Sequence, residues 1–182
     1  MPRSTFFAVA SSSTPGPAAD LAALMLRLGL GPMVMAHGAN KVWGGGKLPG
    51  TTGWFEALGL RPAWLHARLA AAVELASGAL LTLGAACPLP ESAVIGLMAT
   101  AAATDHRGKG FFVFKGGFEY VGVVALACAA LADLGHGRWS LDALVGNRRS
   151  GPLWSAAATA AGVGAAAALL KTSYRPASPE KA

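Results

Sequence analysis

Arg27, His37, Lys41, Glu74, His106 and Glu119 are the ionisable side chains whose surroundings give them a task, because each stands inside or at the end of an apolar stretch. A charge in hydrocarbon is costly enough to require a partner or a function. On an ideal helix Arg27, Val34 and Lys41 recur every seven residues and share a face, while His37 and Lys41 are one turn apart. If the segment carrying Glu74 packs antiparallel to this helix, the long Arg27 side chain reaches it, and an Arg27 to Glu74 ion pair is the structural expectation. The functional alternative is a polar pocket. His37, Lys41, His106, Lys109 and Glu119 fall toward one side of the membrane, with Glu74 and Arg27 as the pocket floor. No stretch holds the one-turn histidine pair or the Glu-x-x-His spacing that pre-forms a metal site, so neither a metal nor haem is expected. Cations, glycine backbone and aromatics meeting at one mouth suit an anionic or quinone-like head group better.

The stretch from Ala103 to Leu126 concentrates these features. Asp105-His106-Arg107-Gly108-Lys109-Gly110 runs into Phe111-Phe112-Val113-Phe114-Lys115-Gly116-Gly117-Phe118-Glu119-Tyr120 and then into a purely apolar run. Only a scaffold that leaves water can position it. Of the 182 residues 53% are hydrophobic and 13% charged, against roughly 25% charged in a soluble domain. Apolar blocks separated by short polar stretches make this an all-α, polytopic membrane protein. The net charge of +6 does not signal nucleic acid, since the basic residues sit at block edges and form no stripe with interleaved aromatics.

Residues 1–20, with Ser11-Ser12-Ser13-Thr14-Pro15-Gly16-Pro17, read as a disordered lead-in whose apolar patch is too short for a cleaved signal. A first span begins near Leu21, is kinked at Pro32 and ends at Trp43. A glycine-rich hairpin over Gly44 to Gly53 leads into a short interfacial helix from Trp54. The second span runs from Pro62 to about Ala86 and the third from about Glu91 to Thr104, short for a ~30 Å core. The fourth runs from Phe112 to Leu134. Ser140 then caps a short helix ending near Gly146.

Residues 147–182 hold a fifth candidate, Pro152 to Leu170. If it spans, Arg3, Arg138, Arg148 and Arg149 face one side, and Lys41, Lys47, Arg61, Arg68, Arg107, Lys109, Lys115, Lys171, Arg175 and Lys181 face the other. That imbalance puts the N-terminus outside and the C-terminus inside. Gly116-Gly117, Ser77-Gly78 with Ala71 and Ala72, and Gly122 read as close-packing surfaces. Cys87 and Cys128 lie toward the same outer side, where a disulfide is conceivable. No nucleophile elbow, phosphate loop or nucleotide fingerprint occurs.

Several of these pieces together resemble the DoxX family of small bacterial membrane proteins. They are Arg27-Leu28-Gly29 with His37-Gly38 and Lys41, Phe55-x-x-Leu58-Gly59-Leu60, Glu74-Leu75 with Ser77-Gly78, His106 with Gly110-Phe111-Phe112, Gly117-Phe118-Glu119-Tyr120, and Gly135-x-Gly137-Arg138-x-Ser140-Leu141-Asp142. The resemblance covers residues 21–146 and implies an antiparallel four-helix membrane bundle, with the fifth helix resting on composition and charge alone. The family takes its name from a subunit of a thiosulfate:quinone oxidoreductase, and some relatives are linked to complexes handling oxidative or thiol stress. The resemblance therefore implies a membrane subunit or anchor of a redox-associated complex in a bacterial inner membrane. Such a subunit has no intrinsic cofactor, binds quinone or a redox enzyme partner, and contacts lipid and further copies of itself. The competing expectations are a small-solute transporter in which Arg27 and Glu74 gate a polar path, and a scaffold that recruits partners through its small-residue faces.

Overall fold

The computed structural model describes residues 16–176, which form seven α-helices, one 3-10 turn and no strand. Helix α1 (Pro17–Trp43) starts before the expected Leu21 because a proline at the first helical position has its φ already set and no N–H to leave unpaired. Residues 17–20 are therefore helix, and the rest of the expected lead-in, 1–15, lies outside the described residues. The helix continues through Pro32. Asp20 stands in the first turn of α1. It is buried and accepts the Arg138 backbone N–H at 2.9 Å, with the Arg138 Nε at 3.1 Å.

Helix α2 (Lys47–Ala57) replaces most of the expected glycine hairpin. Thr52 donates its hydroxyl to the Leu48 carbonyl at 2.8 Å, and Phe55 buries itself with Leu60, Ala63 and Ala67, so contact with the rest of the fold overrides the weak local preference. Helix α3 (Ala63–Leu83) ends earlier than expected at Gly84, which takes the left-handed conformation at φ +67°. Helix α4 is Leu89–Ala103. The fourth span is shorter than its apolar run: α5 (Glu119–Leu134) leaves Phe111 to Phe118 outside. That segment folds back through Phe118 N–H to Gly110 O at 3.1 Å and Glu119 N–H to Phe111 O at 2.9 Å, enclosing a 3-10 turn at Val113–Lys115. Gly117 has no room for a Cβ against the Gly110 and Phe111 backbone, so this glycine serves loop closure and not helix contact. Ser140 caps α6 (Leu141–Leu144), accepting from Ala143 N–H at 3.1 Å, as the sequence predicts. Helix α7 (Pro152–Ser173) follows.

Small residues set the packing. Helices α1 and α3 run antiparallel with Gly31 against Gly78 and Gly38 against Ala71; a Cβ on Gly78 would lie 2.6 Å from the Gly31 carbonyl. Helices α4 and α7 meet at Gly96 and Gly162, where a Cβ on Gly96 would lie 3.0 Å from the Gly162 carbonyl. Such close backbone approach is how helices associate where no hydrophobic effect drives them. Leu30, Val34, Leu81, Val94, Ile95, Val124 and Leu131 fill the space between. Large apolar side chains also face outward, among them Met25, Leu28, Leu126 and Leu153. Helices α1 and α7 are long and apolar enough to cross a bilayer; α4, at 15 residues, falls short of the ~20 that a straight span needs.

Candidate functional site

The helices enclose a cavity of ≈ 660 Å³ toward the end of the bundle formed by the C-termini of α1 and α4 and the N-termini of α3 and α5. Its walls are mostly aliphatic, with Val34, Leu69, Val73, Leu97, Val124 and Leu169 among them. Polar groups enter at few points. Lys41, in the last turn of α1, places Nζ 2.8 and 2.6 Å from the two Glu74 oxygens. The two side chains are only 13% and 8% exposed. His37, one turn before Lys41, shares a hydrogen bond with the Tyr120 hydroxyl at 3.1 Å, and the same hydroxyl lies 3.3 Å from the Met33 sulfur. His106 lines the cavity with its Nδ1 held 2.6 Å from the Gly116 carbonyl. His66, Ser92, Thr100, Thr104 and Asp105 also line it.

Of the residues singled out from sequence, His37, Lys41, Glu74 and His106 thus share one cavity. Glu119 does not line it; its Oε2 accepts the Val113 N–H at 3.0 Å and pins the aromatic loop to the start of α5. Arg27 does not line it either, and the expected Arg27 to Glu74 pair is absent. The antiparallel register places Glu74 beside Gly38, and Arg27 is 14 residues, about 21 Å of helix, away from Lys41. Arg27 instead meets the end of α3. Its guanidinium donates to Leu81 O at 3.1 Å, Thr82 O at 2.9 Å, His136 O at 2.9 Å and Trp139 O at 2.8 Å. The first two are carbonyls of the last turn of α3, where a cation is favoured, and Leu81 O also accepts the Gly84 N–H at 3.1 Å. A path gated jointly by Arg27 and Glu74 has no counterpart in this geometry.

Around Arg27 lies a second polar centre that the sequence reading missed. His136 is buried between two carboxylates, Nε2 2.5 Å from Glu91 Oε1 and Nδ1 2.8 Å from Asp142 Oδ2. Asp142 also accepts the Ala86 and Cys87 N–H groups, each at 2.8 Å. Burial pushes its carboxyl up, but the Asn147 side chain, these two backbone donors and His136 together hold it below the ordinary aspartate range. The Cys87 thiol is pushed up to about 12, by burial first and then by the Glu91 and Asp142 carboxylates, with Arg149 opposing. Cys87 and Cys128 are both free and buried, so the conceivable disulfide is not formed. The available signal was that Glu91 and Asp142 stand in the first turns of α4 and α6, and His136 in the loop between α5 and α6, all at one end of the bundle.

A family model for DoxX matches residues 22–107, which span nearly all of α1 and the whole of α2, α3 and α4. The pieces from Gly110 onward that also resemble the family lie outside the matched residues. Neither a search of curated proteins nor a search of solved structures gives a match. The Arg27, His37, Lys41 and Glu74 framework lies wholly inside the matched stretch, so residues 22–107 carry a DoxX-type membrane domain.

Proposed function

We propose that the protein is an integral membrane subunit of a redox-associated complex whose cavity receives a quinone-like lipid, with no redox cofactor of its own. The observation that carries this reading is the cavity itself. It is large and aliphatic enough for an isoprenoid-sized tail, while the Lys41 and Glu74 pair, His37 with Tyr120, and His106 supply hydrogen-bonding groups for a carbonyl head. Nothing in this donor set transfers electrons alone, so the electrons come from a partner enzyme.

Membrane placement in this reading has five spans: α1, α3, α4, α5 and α7. The short α4 is covered by α5 and α7, and the cavity mouth faces the cytoplasm of a bacterial cell. The exposed Phe111, Phe112, Phe114 and Phe118, with Lys115 6.0 Å from two of the rings, form an anchor at the lipid head-group level on that side. Gentle purification from native membranes, followed by lipid-quinone extraction and identification of co-purifying proteins, tests the function. Bound quinone or an oxidoreductase supports it. A ligand-free, partner-free protein that moves a solute across vesicles overturns it.

A further inference from the structure

We infer that Cys87, Glu91 and His136 bind a divalent transition-metal ion, zinc by chemistry, at the end of the bundle opposite the cavity mouth. Their ligand atoms lie within 4.8 Å of one another and all three residues are buried. Tetrahedral zinc with bonds of about 2.0–2.3 Å needs its ligand atoms roughly 3.5 Å apart, a closure of about 1 Å. A thiolate, an imidazole and a carboxylate are the donors that zinc and cobalt take. They come from three places in the chain: the α3–α4 turn, the first turn of α4 and the loop after α5. One ion therefore ties together segments that the helices alone leave separate.

A second observation points to a ligand. Glu91 is 0% exposed, and its Oε2 has no hydrogen-bond partner among the described residues. A buried carboxylate oxygen without a donor costs free energy, and a cation would satisfy it. The outer shell is already in place, since Asp142 holds the His136 Nδ1 at 2.8 Å and fixes Cys87 through its backbone N–H. A carboxylate behind a metal-binding histidine is the common means of fixing the ring. Asp142 is a positioning residue here.

Charge balance also permits the exchange. Without metal, the Arg27 guanidinium faces the Asp142 and Glu91 carboxylates, and Cys87 is a thiol. When a divalent ion binds, the Cys87 Sγ proton leaves to solvent, and the ion's two positive charges are met by the new thiolate and the Glu91 carboxylate. Arg27 stays on its four carbonyls, compensated by Asp142, and the Cys87 S–H gives up its contact to the Arg149 carbonyl, 3.6 Å from the sulfur.

The test uses the full-length chain purified in detergent without chelator. Mass-spectrometric metal analysis is expected to find about one zinc per chain; after chelation, added Co²⁺ is expected to give a thiolate-to-cobalt charge-transfer band that Zn²⁺ abolishes. Cys87→Ser removes the band and Cys128→Ser keeps it, while Asp142→Asn keeps the band but weakens Co²⁺ affinity by about 10- to 100-fold. The unsubstituted chain decides the matter even if a variant fails to fold. Helical, monodisperse protein that carries no metal and gives no band with Co²⁺ overturns the assignment, as does a band that survives Cys87→Ser.

Discussion

Removing Lys41 or Glu74 singly strands the other in a mostly aliphatic cavity, and the structure says how much this costs. Both Glu74 oxygens lie within 2.8 Å of Nζ, and neither side chain is more than 13% exposed. Breaking such a pair by removing one member costs about 3–5 kcal/mol, while replacing both by apolar groups of similar volume is near neutral or stabilising. For a chain of this size that corresponds to a loss of roughly 6–20 °C in melting temperature for each single change. The two halves are not equivalent. Lys41 stands two residues from the end of α1 and can swing its ammonium toward the interface, whereas Glu74 sits in the middle of α3. Lys41→Met should therefore cost more than Glu74→Leu, and the Lys41→Met, Glu74→Leu double variant should recover most of the loss. Thermal unfolding followed by circular dichroism in one detergent, for the four proteins of the cycle, measures this. Single variants within about 1 kcal/mol of the parent, or losses that simply add in the double variant, refute the reasoning.

Four further outcomes follow from the same geometry. Arg27→Lys, which cannot present a fork to four carbonyls, should destabilise by about 2–4 kcal/mol in the same assay, and Arg27→Met by more. Gly162→Leu should force α7 from α4, since a Cβ there would lie 2.5 Å from the Ser92 carbonyl; loss of a crosslink between cysteines placed on α4 and α7 reads this. The folded-state carboxyl of Asp142 lies below its unfolded value, so its contribution is fully present above about pH 4 and is lost as pH falls through the folded value. Acid unfolding should accordingly be blunted in Asp142→Asn, at the cost of lower stability at neutral pH. In the five-span placement, a fluorescent protein fused after Ala182 lights up in the cytoplasm and alkaline phosphatase at that point is inactive; the reverse pattern removes the α7 span.

Much of this organisation was legible in the chain. Hydrophobic blocks gave the helices, and the seven-residue recurrence of Arg27, Val34 and Lys41 correctly put their side chains on the buried face of α1. Two kinds of feature were not legible. Helix register decided which acid met which base: Gly38 sets Glu74 beside Lys41, and the last-turn carbonyls of α3, invisible as letters, attract Arg27. Loop closure decided where α5 starts, because glycines at 110 and 116 with positive φ, and one at 117 with no room for a side chain, let an apolar aromatic run fold back instead of continuing a helix. The His136 centre escaped for a similar reason. Glu91 lies 45 residues before His136, and each member looks like an ordinary loop or helix-start residue until the ends of α3, α4 and α5 are brought together.

The claim that the cavity receives a quinone-like lipid is tested most directly by photolabelling. A photoreactive short-chain quinone, added to the purified protein and mapped by peptide mass spectrometry, is predicted to label cavity residues of α1, α3 and α4, centred on His37, Val73 and Leu97. Excess unlabelled quinone should suppress that labelling, and Lys41→Met with Glu74→Leu should reduce it. Labelling confined to the outward faces around Met25 and Leu126, unaffected by competitor, would contradict the account.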